Sequence, residues 1–330
     1  MELKRIWLQN DKKLKLQWQT LLIDNELTPD SQVDYTVGIF EQEKLIGTGS
    51  LYGNILKCIA IDWSYQNANL LTPILQSLRE KLLESGETHS FLYTKPATSE
   101  FFENLGFSKI IATEEIVFLE QGLPDFNDYL TSLKRNKQAT KNNASIVMNA
   151  NPFTNGHLYL ITEAAKKCDT LYIFVLSENR SLFSNQTRLN LVREGVRHLD
   201  NVVVFETKEY MVSDATFPAY FLKDQAELAV AKVQAKLDAR LFKENIAPWL
   251  SIKARYVGEE PFSEVTALYN QVMKEVFLPE ITLVEIPRKE LFGEAISATK
   301  VRKLIQEKDY RAIQSLVPKS TYEEIIKHNK

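Results

Sequence analysis

The stretch "NPFTNGHLYLI", Asn151 to Ile161, places a hydroxyl residue, a glycine and a histidine directly before an apolar run. The run predicts a helix, whose unpaired N–H groups and dipole favour phosphate at its start. Gly156 would let the backbone approach the anion, and His157 could donate a ring N–H to it. The alternative is a simple turn and helix cap, because Thr154 and Asn155 are good turn residues. Alone, the stretch leaves both interpretations open.

A second stretch near the end of the chain, "ISATKVRKLI" from Ile296 to Ile305, could also contact phosphate. Ser297 is a natural N-cap, and the apolar residues after it predict a helix with one buried face. Thr299 and Arg302 are three residues apart and share that helix surface, so a hydroxyl and a guanidinium could converge on one phosphate chain. The alternative is an exposed arginine on a surface helix.

The elements around these two stretches predict a parallel sheet with helices on both faces. Apolar strands alternate with helices beyond residue 140, which is typical of parallel α/β sheets. In such sheets, ligands bind outside the carboxyl ends of the strands, which is where "NPFTNGH" is expected. The predicted strands are "SIVMNA", "LYIFVL", "NVVVFE", "KARYVG" and "ITLVEI", and the predicted helices cover about 157–168, 187 onward, and 262–277.

The amino-terminal part has a different pattern, which predicts an α+β domain. Residues 33–61 alternate short β-rich runs with turn signals and predict an antiparallel meander. A helix over 66–84, a strand at "SFLYT", a short helix at "SEFFENLGF" and a strand at "EIVFLE" follow. The polar segment from Ser132 to Ala144 is typical of a linker or an exposed helix end. We therefore expect two domains, 1–140 and 141–330.

The composition excludes several classes of protein. Forty basic residues against 43 acidic ones give a net charge of −3, so no global field would bind nucleic acid or an anionic membrane. The first residues contain no signal-type apolar segment, and no run of about 20 apolar residues could span a bilayer, so we expect a cytoplasmic protein. Cys58 and Cys168 are far apart in sequence, which argues against a disulfide framework or a zinc site, and we expect both in cores.

The two phosphate-type stretches resemble the paired signatures of the nucleotidyltransferase superfamily. "PFTNGH" is similar to its H/T-x-G-H signature, and "ISATKVR" is similar to I-S-x-T-x-x-R, in the expected order. The resemblance implies a Rossmann-like parallel-sheet domain that holds the triphosphate of ATP. Asn151 stands where many members have aspartate, and Met148, where glycine is common, takes no role. The implied binding residues are Asn151, Thr154, Gly156, His157, Ser297, Thr299 and Arg302, of which His157 and Arg302 would also be catalytic.

The amino-terminal half resembles GCN5-related N-acetyltransferases, including "TSEFFENLGFSKI" near its end. Its "SYQNANLL" segment departs from the family's glycine-containing pyrophosphate turn, which argues against acetyl transfer from free acetyl-CoA. The combination of both halves, with "SDATFPAYFLKDQ" and "VGEEPFSEVTALYNQ", resembles the citrate lyase ligase family. That resemblance implies ATP and acetate as substrates, acetyl-AMP as intermediate and Mg²⁺ on the phosphates. The acetyl group would pass to the phosphoribosyl-dephospho-CoA arm of the acyl-carrier subunit of citrate lyase.

Two other functions stay open at this point. An adenylyltransferase that makes a CoA-type dinucleotide is one, because pantetheine-phosphate adenylyltransferases share the "P-x-T-N-G-H" form. A regulatory protein that only senses ATP is the other. Further candidates for contact with phosphate or acetate are Lys208 and Lys223, and Glu259 and Glu260 follow a predicted strand; the alternative for all four is a solvated surface. No set of metal-ligating residues is expected.

Overall fold

The structure is a computed structural model, and it describes residues 1–30, 32–177, 182–211, 227–259 and 263–328. These residues form two compact units. The first contains Met1–Tyr129 with 227–233, and the second contains 130–211 with 234–328.

The first unit is an α+β fold around a seven-stranded sheet in the order β1-β2-β3-β4-β5-β7-β6. All neighbouring strands are antiparallel except β4 and β5. The predicted meander is therefore confirmed. The elements are β1 Glu2–Arg5, α1 Lys12–Asp24, β2 Tyr35–Glu41, β3 Lys44–Tyr52, β4 Ile55–Ile61, α2 Leu71–Glu84, β5 Ser90–Thr94, α3 Ser99–Glu103, β6 Ser108–Ala112, β7 Val117–Gln121 and α4 Phe126–Arg135, the last of which continues past residue 129.

A cleft of about 650 Å³ opens in this unit where β4 and β5 separate. The two strands pair only at Ile55 with Phe91 and at Leu56 with Leu92. Mostly apolar side chains from both strands and from α3 line the cleft beyond that point. Two exposed aromatic residues, Trp63 and Phe101, also line it, with 63% and 62% of their surfaces exposed. The cleft thus presents apolar surface to solvent.

The predicted helix over 66–84 begins later than expected. Residues Trp63–Ala68 form a 3₁₀ turn, in which the side chain of Asp62 accepts a hydrogen bond from the Ser64 N–H. Asn69 then adopts a left-handed conformation with φ of +48°, which no α-helix can include. The α-helix therefore starts at Leu71. The elements β1, α1 and β6 were not predicted.

The second unit has a five-stranded sheet, β10-β9-β8-β11-β12, in which every pairing is parallel. The predicted parallel α/β fold class is confirmed. The elements are β8 Asn143–Met148, α5 Asn155–Ala165, β9 Thr170–Val175, α6 Asn185–Val196, β10 Val202–Glu206, α7 Glu227–Leu241, α8 Ala247–Leu250, β11 Ile252–Gly258, α9 Glu264–Phe277, β12 Thr282–Ile286, β13 Glu290–Leu291, β14 Glu294–Ala295, α10 Ala298–Gln306, α11 Tyr310–Ile313 and α12 Lys319–His328.

The core of this unit explains its strand sequences. Ile146 and Ile173 from the central strands pack with Ile161 of α5 and Val192 of α6, and all four are fully buried or nearly so. Because helices cover both faces of a parallel sheet, its strands are apolar along their length. This packing fixes the start of α5 at the carboxyl edge of the sheet.

The polar segment expected to be a linker is attached to the second unit. Lys137 Nζ donates to the Ser251 hydroxyl at 2.8 Å, and the Gln138 backbone N–H donates to the Tyr172 hydroxyl at 2.9 Å. Residues 134–139 are exposed, as predicted, and the segment begins with the end of α4 at Arg135, which is the exposed helix end that the sequence also indicated. The polar residues after it make hydrogen bonds to the second unit.

Candidate active site

The first predicted stretch forms a capped helix start. The loop after β8 ends at Thr154, whose side-chain oxygen accepts a hydrogen bond from the His157 backbone N–H at 3.3 Å. In return, the Thr154 backbone N–H donates to Nδ1 of His157 at 3.0 Å. This is a capping box in which histidine takes the place of the usual glutamate or glutamine. Thr154 therefore caps the helix, and the same hydrogen bonds fix the imidazole; phosphate binding by the stretch stays a prediction.

The hydrogen bond to Nδ1 determines the tautomer of His157. Because Nδ1 accepts from a backbone N–H, a neutral ring must carry its proton on Nε2. Burial, together with the positive charge of Arg288, lowers the pKa of His157 from 6.5 to about 4. The side chain is therefore a neutral Nε2–H donor at pH 7, which suits an anionic ligand.

The second predicted stretch begins α10 and contacts the first. The Ser297 hydroxyl caps α10 by accepting from the Lys300 backbone N–H at 3.1 Å. A Cβ atom at Gly156 would lie 2.9 Å from the carbonyl oxygen of Ile296, so glycine allows the close approach. The starts of α5 and α10 therefore lie against each other.

Arg302 joins the same two segments. Its Nη1 donates to the carbonyl oxygen of Asn151 at 2.7 Å, and its Nη2 donates to the Thr299 hydroxyl at 2.9 Å. The predicted pairing of Thr299 and Arg302 on one helix face is thus present. The seven predicted residues lie in one place, at the starts of α5 and α10 and the loop before α5. Their use in binding a nucleotide stays a prediction.

Arg188 of α6 supports this loop and was not predicted. It is completely buried. Its Nη1 donates to the carbonyl oxygens of Asn149 at 2.7 Å and Leu176 at 2.8 Å, the residues that follow β8 and β9. The guanidinium therefore joins the carboxyl ends of two adjacent strands. The sequence did contain one sign of this role, which is that Arg188 lies among the apolar residues of a predicted helix.

Arg288 also lies at the site and was not predicted. It follows β12, and its Nε donates to the carbonyl oxygen of Glu259 at 2.7 Å. Glu259 itself donates its backbone N–H to Ile286, so the ends of β11 and β12 are joined twice. After burial, the charge of Arg288 is the second cause of the lowered pKa of His157.

The other candidates have less support. Lys208 is exposed and follows β10, the edge strand opposite β12, and the Glu259 side chain is exposed. Lys223 and Glu260 lie outside the described residues. Cys58 is buried, and burial raises its pKa to about 12. Cys168 is only half-buried, contrary to expectation, and burial raises its pKa to about 11.

Two features are absent from the described part of the chain. Within it, no three or more His, Cys, Asp or Glu side chains are close enough together to hold a metal ion. In the same ranges, no helix has the length and apolar character needed to cross a membrane.

Comparison with known proteins identifies the family. Residues 143–325 match the model of the citrate lyase ligase C-terminal domain. The citrate (pro-3S)-lyase ligase of Klebsiella pneumoniae is 37% identical over 325 residues, which are 97% of this chain and 94% of that protein. The chain belongs to the citrate lyase ligase family. The Escherichia coli and Haemophilus influenzae members are also 37% identical and cover 95% and 97% of the chain. A citrate lyase ligase family member is an enzyme of the ligase class.

Solved structures resemble parts of this citrate lyase ligase family member at low similarity. Thermotoga maritima TmcAL bound with alpha-thio ATP is 16% identical, with a TM-score of 0.37, and the alignment covers 56% of this chain and 55% of that one. An aminoglycoside 6'-N-acetyltransferase complexed with coenzyme A is 15% identical, with a TM-score of 0.33, and covers 38% and 98%. Sequence identities and TM-scores this low support no conclusion about the chemistry of this chain.

Proposed function

We propose that the chain activates acetate with ATP and transfers the acetyl group to citrate lyase. In the first step acetate and ATP would give acetyl-AMP and pyrophosphate. In the second, the thiol of the phosphoribosyl-dephospho-CoA arm on the acyl-carrier subunit would attack the acetyl carbon and release AMP. The names of the full-length relatives support the acceptor. The observation that supports the nucleotide step most is the contact between the starts of α5 and α10 through Gly156 and Arg302.

The first step needs charge stabilisation more than a protein nucleophile. A carboxylate oxygen of acetate forms a bond to the α-phosphorus while the bond to the bridging oxygen of pyrophosphate breaks. Negative charge grows on the departing pyrophosphate, and preorganised donors stabilise it, each by about 2.7 to 4 kcal/mol if it acts like an oxyanion-hole donor. The Nε2–H of His157, the guanidinium of Arg302 and the start of α5 are the donors that we assign to this role.

Magnesium would accompany the triphosphate. It binds oxygen ligands and keeps several waters, so phosphate oxygens and water can supply its coordination. The described residues contain no acidic cluster to hold it. We therefore assign the ion to the nucleotide.

We propose that residues 1–140 bind the arm of the carrier and that residues 141–330 form the adenylylating domain. A mostly apolar cleft of about 650 Å³ is large enough for the pantetheine part of the arm. The turn at Trp63–Ala68 contains no glycine, which argues against close approach of a pyrophosphate to this turn. The cytoplasmic location stays a prediction from the sequence.

One exchange assay tests this function. The protein is incubated with ATP, acetate and labelled pyrophosphate, and the expected result is label entering ATP only when acetate is present. Exchange that requires phosphopantetheine in place of acetate would favour the dinucleotide-forming alternative. If no acid supports exchange, the result would favour the alternative of a regulatory protein that only senses ATP. Acetylation of the carrier, followed by mass spectrometry, then tests the second step.

A further inference from the structure

The cleft of the first unit has a mostly apolar lining with a few charged side chains. Among the described residues that line it, the charged ones are Glu26, Lys57 and Lys95. Lys57 is buried and forms an ion pair with Asp30. Lys95 is more exposed, and its Nζ donates to the Glu26 carboxylate at 2.8 Å. Lys95 is therefore the cation of the lining that an anionic ligand reaches most easily.

The end of α1 and the turn after it join the two walls of the cleft. We call this segment, residues 24–27, the strap. The carbonyl oxygen of Asp24 accepts a hydrogen bond from Nε1 of Trp63, which follows β4, at 3.0 Å. The Glu26 carboxylate bonds to Lys95, which follows β5. Because β4 and β5 pair only near their starts, the strap connects them where they have separated.

The backbone of the strap is unusual at Glu26. This residue has a φ of +59°, in the left-handed region that favours glycine. The Leu27 backbone N–H donates to the carbonyl oxygen of Leu22 at 2.9 Å, as in a Schellman turn at a helix end, where glycine is the common residue. A glutamate at this position costs backbone strain, and its side chain makes a contact across the cleft that glycine could not make.

A ligand with an apolar body and an anionic end fits this arrangement. The pantetheine part of the arm continues into phosphate, and the turn at Trp63–Ala68 argues against a phosphate on the β4 wall. Lys95 lies on the β5 wall, and an ammonium is a good point-charge partner for phosphate. Its present partner can leave at small cost, because the Glu26 side chain is 75% exposed and exposed ion pairs contribute little.

We propose that Lys95 binds the phosphate next to the pantetheine part of the arm, and that Glu26 holds Lys95 until the arm binds. This inference rests on the proposed function, which assigns the arm to this cleft, and it names the group that binds the anionic end. Phosphate replaces the Glu26 carboxylate on the ammonium, and like charge then turns Glu26 towards solvent. The strap keeps its bond to Trp63 throughout.

Calorimetry with pantetheine and with 4′-phosphopantetheine tests the proposal on the full chain, without ATP or acetate. Lys95→Gln should weaken binding of phosphopantetheine at least about fivefold and of pantetheine less than about twofold, because only the first carries the phosphate. Glu26→Gln should tighten binding of phosphopantetheine at least about threefold, since the competing carboxylate is lost. The control is Lys109→Gln, which should change neither affinity. Lys109 is in the same unit, pairs with Glu103 at 3.0 Å, is 43% exposed and does not line the cleft.

Several results would overturn the proposal. Unchanged affinity for phosphopantetheine in folded Lys95→Gln is one, and equal weakening of both ligands is another, because it would indicate a distorted cleft. Weaker binding in Glu26→Gln would make the carboxylate a ligand contact and not a competitor. Lys95→Gln should also acetylate the carrier at least about fivefold more slowly at low carrier concentration. An unchanged rate would mean that the site takes free phosphopantetheine and not the arm.

The binding data also separate this inference from the proposed function. If acetate-dependent exchange is absent but the two ligands respond to Lys95→Gln as expected, the phosphate site stands and the adenylation step fails. If pantetheine binds equally well to all variants and phosphate adds nothing, the cleft can still take the arm and the role of Lys95 fails. If neither ligand binds the unchanged protein, both assignments fail.

Discussion

His157 is built to donate a hydrogen bond and is poorly suited to carry protons at neutral pH. Its pKa of about 4 keeps the ring neutral, and the capping box holds Nδ1 as an acceptor. Such a ring can bind a phosphate without adding charge. Proton transfer at pH 7 would be inefficient, because a general acid or base works best with a pKa near the working pH.

The lowered pKa of His157 predicts a pH dependence of stability. Between about pH 4 and 6.5 the unfolded histidine binds a proton and the folded one does not, so the free energy of unfolding rises with pH. This contribution is complete above pH 6.5 and is lost as the pH falls through 4. His157→Gln should show a shallower rise in this window, measured by urea unfolding. The exposed His198 provides the control, and an equal change in His198→Gln would contradict the assignment.

His157→Ala should lower the rate of acetate-dependent exchange at least tenfold, since one charge-stabilising donor is lost. The thermal transition shows whether the variant is folded. His198→Ala should keep the rate of the unchanged protein. Normal turnover in folded His157→Ala would remove this imidazole from the mechanism.

At the scale of elements, the contact between α5 and α10 depends on the absence of a side chain at Gly156. Gly156→Ala would put a Cβ atom 2.9 Å from the Ile296 carbonyl oxygen, and a backbone atom cannot easily move away. We expect the helix starts to separate, with a loss of about 1 to 3 kcal/mol of stability and a larger fall in exchange activity. Gly258→Ala is the matched control for stability, because nothing lies within 4 Å of its added Cβ. A fully active Gly156→Ala enzyme would show that the contact is unnecessary.

Arg188 joins the carboxyl ends of β8 and β9, and their stability should depend on it. Arg188→Met would remove the donors to the partly buried Asn149 and Leu176 carbonyl oxygens, and hydrogen bonds from a charged group contribute about 1.5 to 3 kcal/mol each. We expect a loss of at least about 2 kcal/mol in the free energy of unfolding, measured with denaturant. Arg193→Met, at an exposed position of the same helix, should change it little. Similar values for the two variants would mean that Arg188 does not hold the strand ends.

At the scale of the molecule, the two units are assigned different steps. Ala97 is exposed and lines the cleft of the first unit, so Ala97→Trp should fill the cleft without disturbing a core. We expect normal acetate-dependent exchange and at least tenfold slower acetylation of the carrier. Ala68→Trp, at an exposed residue that does not line the cleft, is the control. If carrier acetylation is unaffected in Ala97→Trp, the arm binds elsewhere.

The sequence predicted the elements whose patterns are local. The apolar strands of the second unit were predicted within two residues of their observed starts, because parallel strands are buried on both faces. The start of α2 was missed because the left-handed conformation of Asn69 has no reliable pattern in sequence. Helix α1 was missed although Asp11 caps it, since only Trp18, Leu21 and Leu22 of its residues are buried.

The candidate site was predicted where its residues lie in two short stretches. Arg188 and Arg288 were missed because their roles depend on tertiary contacts. Arg188 contacts Asn149, 39 positions away, and Arg288 contacts Glu259, 29 positions away. No spacing rule connects such positions, and an arginine is usually solvated. The sheet brings these residues to one edge, and only the structure contains that information.

The bond from Arg302 to Asn151 spans 151 positions of the chain. The ribosome synthesises the start of α5 long before α10. A nascent chain would therefore have the first of the two phosphate-type stretches but would lack the guanidinium of Arg302. On the proposed function, adenylation would therefore begin only after nearly all of the polypeptide has emerged. Unfinished chains would then consume no ATP.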